Sequence, residues 1–321
     1  MTRPSPSFDL ALKCVDLVKR YGDLVAVDHL QLTVKRGECF GLLGPNGAGK
    51  TTTIEILEGL LAPDAGHVEV LGRRWGHDDD ALRQRLGVHL QETQFDERLT
   101  VVETLRLFRS FYTTGQDITT VLDTLGLQSK TNTWVVKLSG GQKQRLAVGC
   151  ALVGSPELLF LDEPTTGLDP QSRRQLWSVL KTFRETKGTI LLTTHYMDEA
   201  EVLCDRVAIV DRGQVIALGT PKELIASLGA AQVIEFGVGG PDAAMRDALE
   251  LKDTLERLPG VRTARRDGGL WQLSTTDLQL GLPALMRFAE AEQMAIDSVA
   301  THTATLEDVF VALTGKHLRD D

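Results

Sequence analysis

The chain is poor in several things that would narrow its class. It holds only four cysteines in 321 residues, Cys14, Cys39, Cys150 and Cys204. They are scattered, with no CxxC pair, which argues against zinc sites and a disulfide scaffold and for reduced, buried thiols. Aromatic residues make up 5%. No uninterrupted apolar run approaches the ~20 residues needed to span a bilayer. The opening residues, Met1 to Asp9, lack the basic and apolar blocks of a signal peptide. Positive charge is also short: 35 Lys and Arg against 44 Asp and Glu leave a formal net charge of -9. That balance disfavours a protein that coats nucleic acid, and it offers no polybasic membrane anchor.

Hydrophobic residues make up 42%, enough for a buried core. At roughly 150 residues per domain the length suggests two domains. Ala11–Leu17, Leu24–Val34 and His67–Leu71 are β-branched and aliphatic with turn signals between them, and read as antiparallel strands. Leu158–Leu161 and Thr189–Leu192 are continuous apolar runs, the pattern of strands buried on both faces of a parallel sheet. Thr100 and Glu103 have capping-box spacing, so a helix is predicted from Val101. Another near Thr120–Leu125 stops at Gly126. Asp169 and Pro170 read as a helix cap and first helical position, with Leu176, Leu180 and Phe183 on one face. Past a linker at Gly229-Ala230-Ala231, strands at Gln232–Val238, Gly260–Arg265, Leu270–Ser274 and Ile296–Ala300 alternate with helices near Ala243–Arg257 and Pro283–Glu292. That β-α-β-β-α-β order predicts a ferredoxin-like α+β module, followed by a terminal helix near Leu306–Leu313.

Three motifs carry chemistry. Gly44-Pro45-Asn46-Gly47-Ala48-Gly49-Lys50-Thr51 follows a short strand, Cys39–Leu43, and opens a helix read over Lys50–Leu61. Glycines at this spacing let backbone N–H groups turn inward as a nest for phosphate, and the helix dipole adds to it. Lys50 would reach the β- and γ-phosphates of a nucleotide, and Thr51, with Thr52 beside it, would offer a hydroxyl to Mg2+. Second, the strand Leu158-Leu159-Phe160-Leu161 ends in Asp162-Glu163, at the sheet edge where ligands of open α/β folds collect. Asp162 suits Mg2+, and Glu163 suits a general base for water. Third, Leu138-Ser139-Gly140-Gly141-Gln142 reads as another helix-start anion site with Ser139 as its cap.

With these motifs in this order, the chain from about Leu12 to Gly229 resembles the ATP-binding cassette (ABC) family, whose LSGGQ signature it carries unaltered. The resemblance implies a phosphate-loop ABC ATPase core with antiparallel β and helical subdomains, in an α/β fold. Its expected bounds are residues 1–229, the helical part about 92–155, with an accessory α+β domain over 230–321. It implies ATP and Mg2+ as ligands, with the signature residues Ser139, Gly140, Gly141 and Gln142 reaching ATP held by the opposite protomer of a head-to-tail dimer. Tyr21 matches the aromatic that stacks on adenine. Gln91 matches the glutamine that links Mg2+ to membrane subunits, with Gln94 a minor rival. Asp169, in Gly167-Leu168-Asp169, matches the loop that crosses the dimer. His195 matches the switch histidine; of seven histidines it is expected to be the one that ends a core strand. The acidic group Asp198, Glu199 and Glu201 reads as a solvated helix start. Thr305-Leu306-Glu307-Asp308-Val309-Phe310 and Leu313-Thr314-Gly315 resemble the tail of ATPases serving ABC-2-type exporters, including the daunorubicin-resistance group. The resemblance implies a homodimer beneath transmembrane permease subunits, on the cytoplasmic face of the membrane, and no nucleic-acid partner. An importer ATPase or a non-transport ABC ATPase is the alternative.

Overall fold

Strand alternation at the start of the chain becomes a small antiparallel sheet in the computed structural model, which describes residues 10–90, 94–239, 248–267 and 269–315. β1 (Leu10–Tyr21) pairs antiparallel with β2 (Leu24–Lys35), and β3 (Cys39–Leu43) leads to α1 (Lys50–Leu57). β4 (Ala65–Val70) returns to the other edge of β1, giving the order β2-β1-β4. The helix predicted to Leu61 stops four residues earlier. Trp75 explains this: its indole N–H donates to the Leu57 carbonyl oxygen at 2.9 Å. The ring also packs on Gly59, whose φ is +78° and whose missing Cβ would lie 2.4 Å from it.

The chain continues through α2 (Asp79–Arg83) and β5 (Leu86–His89) to a helical stretch, α3 (Val101–Arg109), α4 (Ile118–Leu125) and α5 (Gly140–Leu152). The predicted capping box is present: Glu103 N–H donates to Thr100 Oγ1, and Thr100 N–H to Glu103. Gly126 ends α4 in the left-handed region. Then come β6 (Leu158–Asp162), α6 (Pro170–Glu185), β7 (Thr189–Thr194), α7 (Met197–Leu203), β8 (Arg206–Asp211) and β9 (Gln214–Gly219). The last two strands are missing from the sequence reading. The main sheet runs β5-β6-β7-β3-β8-β9, parallel except for β9. Phe40, Leu42, Phe160 and Leu191 are fully buried in its core. Each such side chain contributes about 1.5–3 kcal/mol on leaving water. The four cysteines are buried and free.

The chain divides into two compact units, one up to Thr220 and one from Pro221. The second holds α8 (Pro221–Ser227), β10 (Gln232–Gly239), α9 (Ala248–Glu256), β11 (Val261–Asp267), β12 (Leu270–Thr275), α10 (Leu278–Ala291), β13 (Ala295–Thr303) and α11 (Leu306–Thr314). Its strands form one antiparallel sheet in the order β11-β12-β10-β13 over a core that includes Ile234, Phe236, Leu255, Trp271 and Leu285. The second helix does not begin at Pro283. Asp277 caps it by accepting from Gln279 N–H at 2.8 Å, and Pro283 sits inside it. A side-chain cap upstream thus outweighs the one backbone bond that proline forgoes.

Candidate active site

Sheet order decides which motifs meet. β6, β7 and β3 are neighbours, and their registers set Asp162 beside Thr193 and Leu43 beside Thr194. The three carboxyl ends therefore bring together the phosphate-loop motif, the Asp162-Glu163 pair and His195.

In the loop, Gly49 has φ +96°, and a Cβ there would sit 2.1 Å from the Ala26 carbonyl oxygen. A Cβ on Gly44 would sit 2.2 Å from the Val210 carbonyl oxygen. Only glycine fits either position. Ala48 N–H donates to the Pro45 carbonyl oxygen at 3.2 Å, while Gly47 takes φ +76° with open space around it. Asn46 is exposed and Thr52 half-buried. No side chain caps the N-terminus of α1. Lys50 is buried, its Nζ donating to the carbonyl oxygens of Gly44 (2.8 Å) and Pro45 (2.9 Å). Burial pulls its ammonium below the usual lysine value, opposed by the charges of Glu163 and Asp162. An uncapped helix start, glycines that hold backbone close to it and a buried ammonium suit a phosphate chain.

Thr51 Oγ1 donates to Asp162 Oδ2 at 3.3 Å, and Thr193 Oγ1 to the other oxygen of the same carboxylate. A hydroxyl beside a buried carboxylate is a donor set that fits Mg2+, which takes one or two carboxylates and completes its shell with phosphate and water. Glu163 is a non-glycine residue at φ +46°. That conformation is costly and collects at functional sites. Lys50 Nζ is 3.8 Å from Glu163 Oε1, and Thr166 Oγ1 donates to Oε2 at 3.1 Å. His195 Nδ1 lies 3.2 Å from Oε2. His195 above all, with Lys50 and Thr166, holds the Glu163 carboxyl below the ordinary range, against burial, which raises it.

The signature residues open α5. Gln142 N–H donates to Ser139 Oγ (3.3 Å), and Ser139 N–H to Gln142 Oε1 (3.0 Å). The motif thus caps itself, and Gly140 faces open space. A Cβ on Gly141 would meet Ser172 Oγ at 2.3 Å. Ser172 in turn donates to Asp169, which caps α6 through the N–H groups of Gln171 (2.9 Å) and Ser172 (3.0 Å). Tyr21 ends β1 with 48% of its surface exposed. Gln91 lies outside the described residues; its rival Gln94 is exposed.

Two expectations are corrected. Glu199 is not solvated: it is fully buried, and its Oε1 accepts from the Trp177 indole N–H at 2.9 Å. Burial pushes its carboxyl up. Nor is His195 alone among histidines at the end of a core strand, because His89 ends β5 and is buried. Its alternation partner Gly87 and the apolar run around it were the available signal.

Comparison with known proteins agrees with the geometry. The ABC transporter family matches over residues 27–166. The chain is 38% identical to the Nod factor export ATP-binding protein I of Cupriavidus pinatubonensis, over 99% of this chain and 94% of that protein. It is 35% identical to the linearmycin resistance ATP-binding protein LnrL of Bacillus subtilis, over 96% of this chain and all of that protein. The chain resembles the dimeric structure of MJ0796, a bacterial ABC transporter cassette, with a TM-score of 0.59 at 26% identity, covering 65% of this chain and 98% of that one. The chain belongs to the ABC transporter family. It is an ATP-binding and hydrolysing subunit of such a transporter, taking ATP with Mg2+. Among the described residues no helix is long and apolar enough to cross a membrane.

Proposed function

We propose that this subunit powers an ABC-2-type exporter, as one of two identical ATPases that close head to tail over ATP on the cytoplasmic face of transmembrane permease subunits. The relatives named for Nod factor export and linearmycin resistance support the export reading. The observation that carries the ATPase assignment is the meeting of Lys50, Thr51, Asp162, Glu163 and His195 at three adjacent strand ends.

In this reading Tyr21 stacks on adenine, and the backbone from Gly44 to Thr52 with Lys50 holds the phosphates. Thr51 and Asp162, with Gln91, hold Mg2+, which when bound neutralises charge on the phosphate oxygens. Glu163, kept ionised by His195 and Lys50, accepts from the attacking water and orients it. The tip Ser139-Gly140-Gly141, exposed at Ser139 and Gly140, serves the nucleotide of the partner, and Asp169 lies at the crossing loop. The C-terminal ferredoxin-like module steadies the dimer.

Glu163→Gln keeps shape and loses the charge. It is expected to keep ATP binding, to lower turnover by roughly 10²–10⁴-fold, and to trap a dimer on gel filtration with ATP. Normal turnover in this variant removes Glu163 from its role.

A further inference from the structure

One side-chain amide ties together three segments that are distant in sequence. Gln144 lies on α5, five residues past Ser139. Its Nε2 is 2.6 Å from the carbonyl oxygen of Pro164, the residue after Glu163, and 3.0 Å from Nε2 of His89 at the end of β5. The two contacts settle each other's chemistry. A carbonyl oxygen only accepts, so the group facing Pro164 is the NH2 and not the amide oxygen. Its second hydrogen then points at His89, whose Nε2 must offer a lone pair. His89 is thereby the neutral tautomer with its proton on Nδ1. The buried Nδ1 has no hydrogen-bond partner among the described residues.

Glu163 needs such a hold. Its backbone is in the left-handed region, and a strained turn persists only when its surroundings over-determine it. Thr193 fixes the turn at the Glu163 N–H. Gln144 fixes it at the Pro164 carbonyl, one residue on. We propose that His89 and Gln144 form a clip of positioning residues that sets the Glu163-Pro164 turn against the helix bearing Ser139. The clip rests on the assignment of Glu163 above. Through α5 it joins the base of one site to the tip that serves the other, and through β5 to the strand end two residues before Gln91.

Kinetics of the purified full chain test the clip. His89→Leu and Gln144→Leu should each lower kcat by about five- to tenfold, with the KM for ATP moving less than about twofold. The double variant should be no slower than the slower single one, because both break one unit. His89→Gln restores an acceptor for the amide and should recover kcat to within about twofold of the parent. Unchanged kcat in both Leu variants, or losses that multiply in the double variant, overturns the proposal. Nitrogen-15 spectra of the histidines in the unaltered chain decide it even if a variant fails to fold: His89 protonated at Nδ1 supports the clip, and protonation at Nε2 overturns it. Should Glu163→Gln turn over normally, the base assignment fails by itself, while tautomer and non-additivity still judge the clip.

Discussion

Thr193 holds Glu163 by its backbone: the Glu163 N–H donates to both the carbonyl oxygen (3.2 Å) and the hydroxyl (3.0 Å) of Thr193. Because that hydroxyl accepts from Glu163, its own proton is free for Asp162, to which it donates. One threonine on β7 thus orients the carboxylate proposed for Mg2+ and the proposed base together.

Lys50→Ala removes the buried ammonium that the loop carbonyls now hold. ATP affinity should fall by about tenfold or more, read by fluorescence titration, since a charge-assisted contact contributes about 1.5–3 kcal/mol. Unchanged affinity would count against the phosphate-loop assignment.

Ser139→Arg places a bulky cation at the exposed tip of α5. Binding of ATP to the monomer should stay within about twofold, because the loop around Lys50 is untouched. In a Glu163→Gln background the ATP-dependent dimer should vanish from gel filtration. A dimer that forms regardless refutes the role of the tip across the interface.

Glu58 follows α1 as a buried carboxyl with neither oxygen hydrogen-bonded among the described residues, and burial raises it to about 8. The sign is that of a raised acid. The folded chain keeps the proton while the unfolded chain loses it above the ordinary glutamate value. Stability therefore falls as pH climbs from there towards 8. Glu58→Gln should be the more stable protein, by an amount that grows over this window to a few kcal/mol at most. Melting temperatures at pH 5 and pH 8 measure it; an equal gap at both ends sinks the argument.

Much of the site was legible because its parts are local. A glycine spacing, a strand ending in Asp162-Glu163 and a self-capping Ser139-Gln142 helix start each show in a few consecutive residues. What was hidden depends on partners distant in the chain. Glu199 looks like one of three surface acids until Trp177, 22 residues earlier, reaches it across the packing of α6 and α7. His89 looks like an interruption of an apolar run until Gln144, 55 residues later, gives its ring nitrogen an amide. β8 and β9 went unread although Arg206–Asp211 and Gln214–Gly219 are as long as the strands that were read, and the two-residue turn at Arg212-Gly213 was the local signal for them. The start of α10 went unread because Pro283 is the stronger local signal than Asp277.

The twisted backbone at Glu163 sets activity against durability. A residue with a side chain at φ +46° costs of order 1 kcal/mol that glycine would not. Selection for heat tolerance alone would drift towards glycine at this position and discard the carboxylate with the strain. Breeding a hardier version of this ATPase therefore has to leave that cost in place and seek its gains in residues remote from the sheet edge.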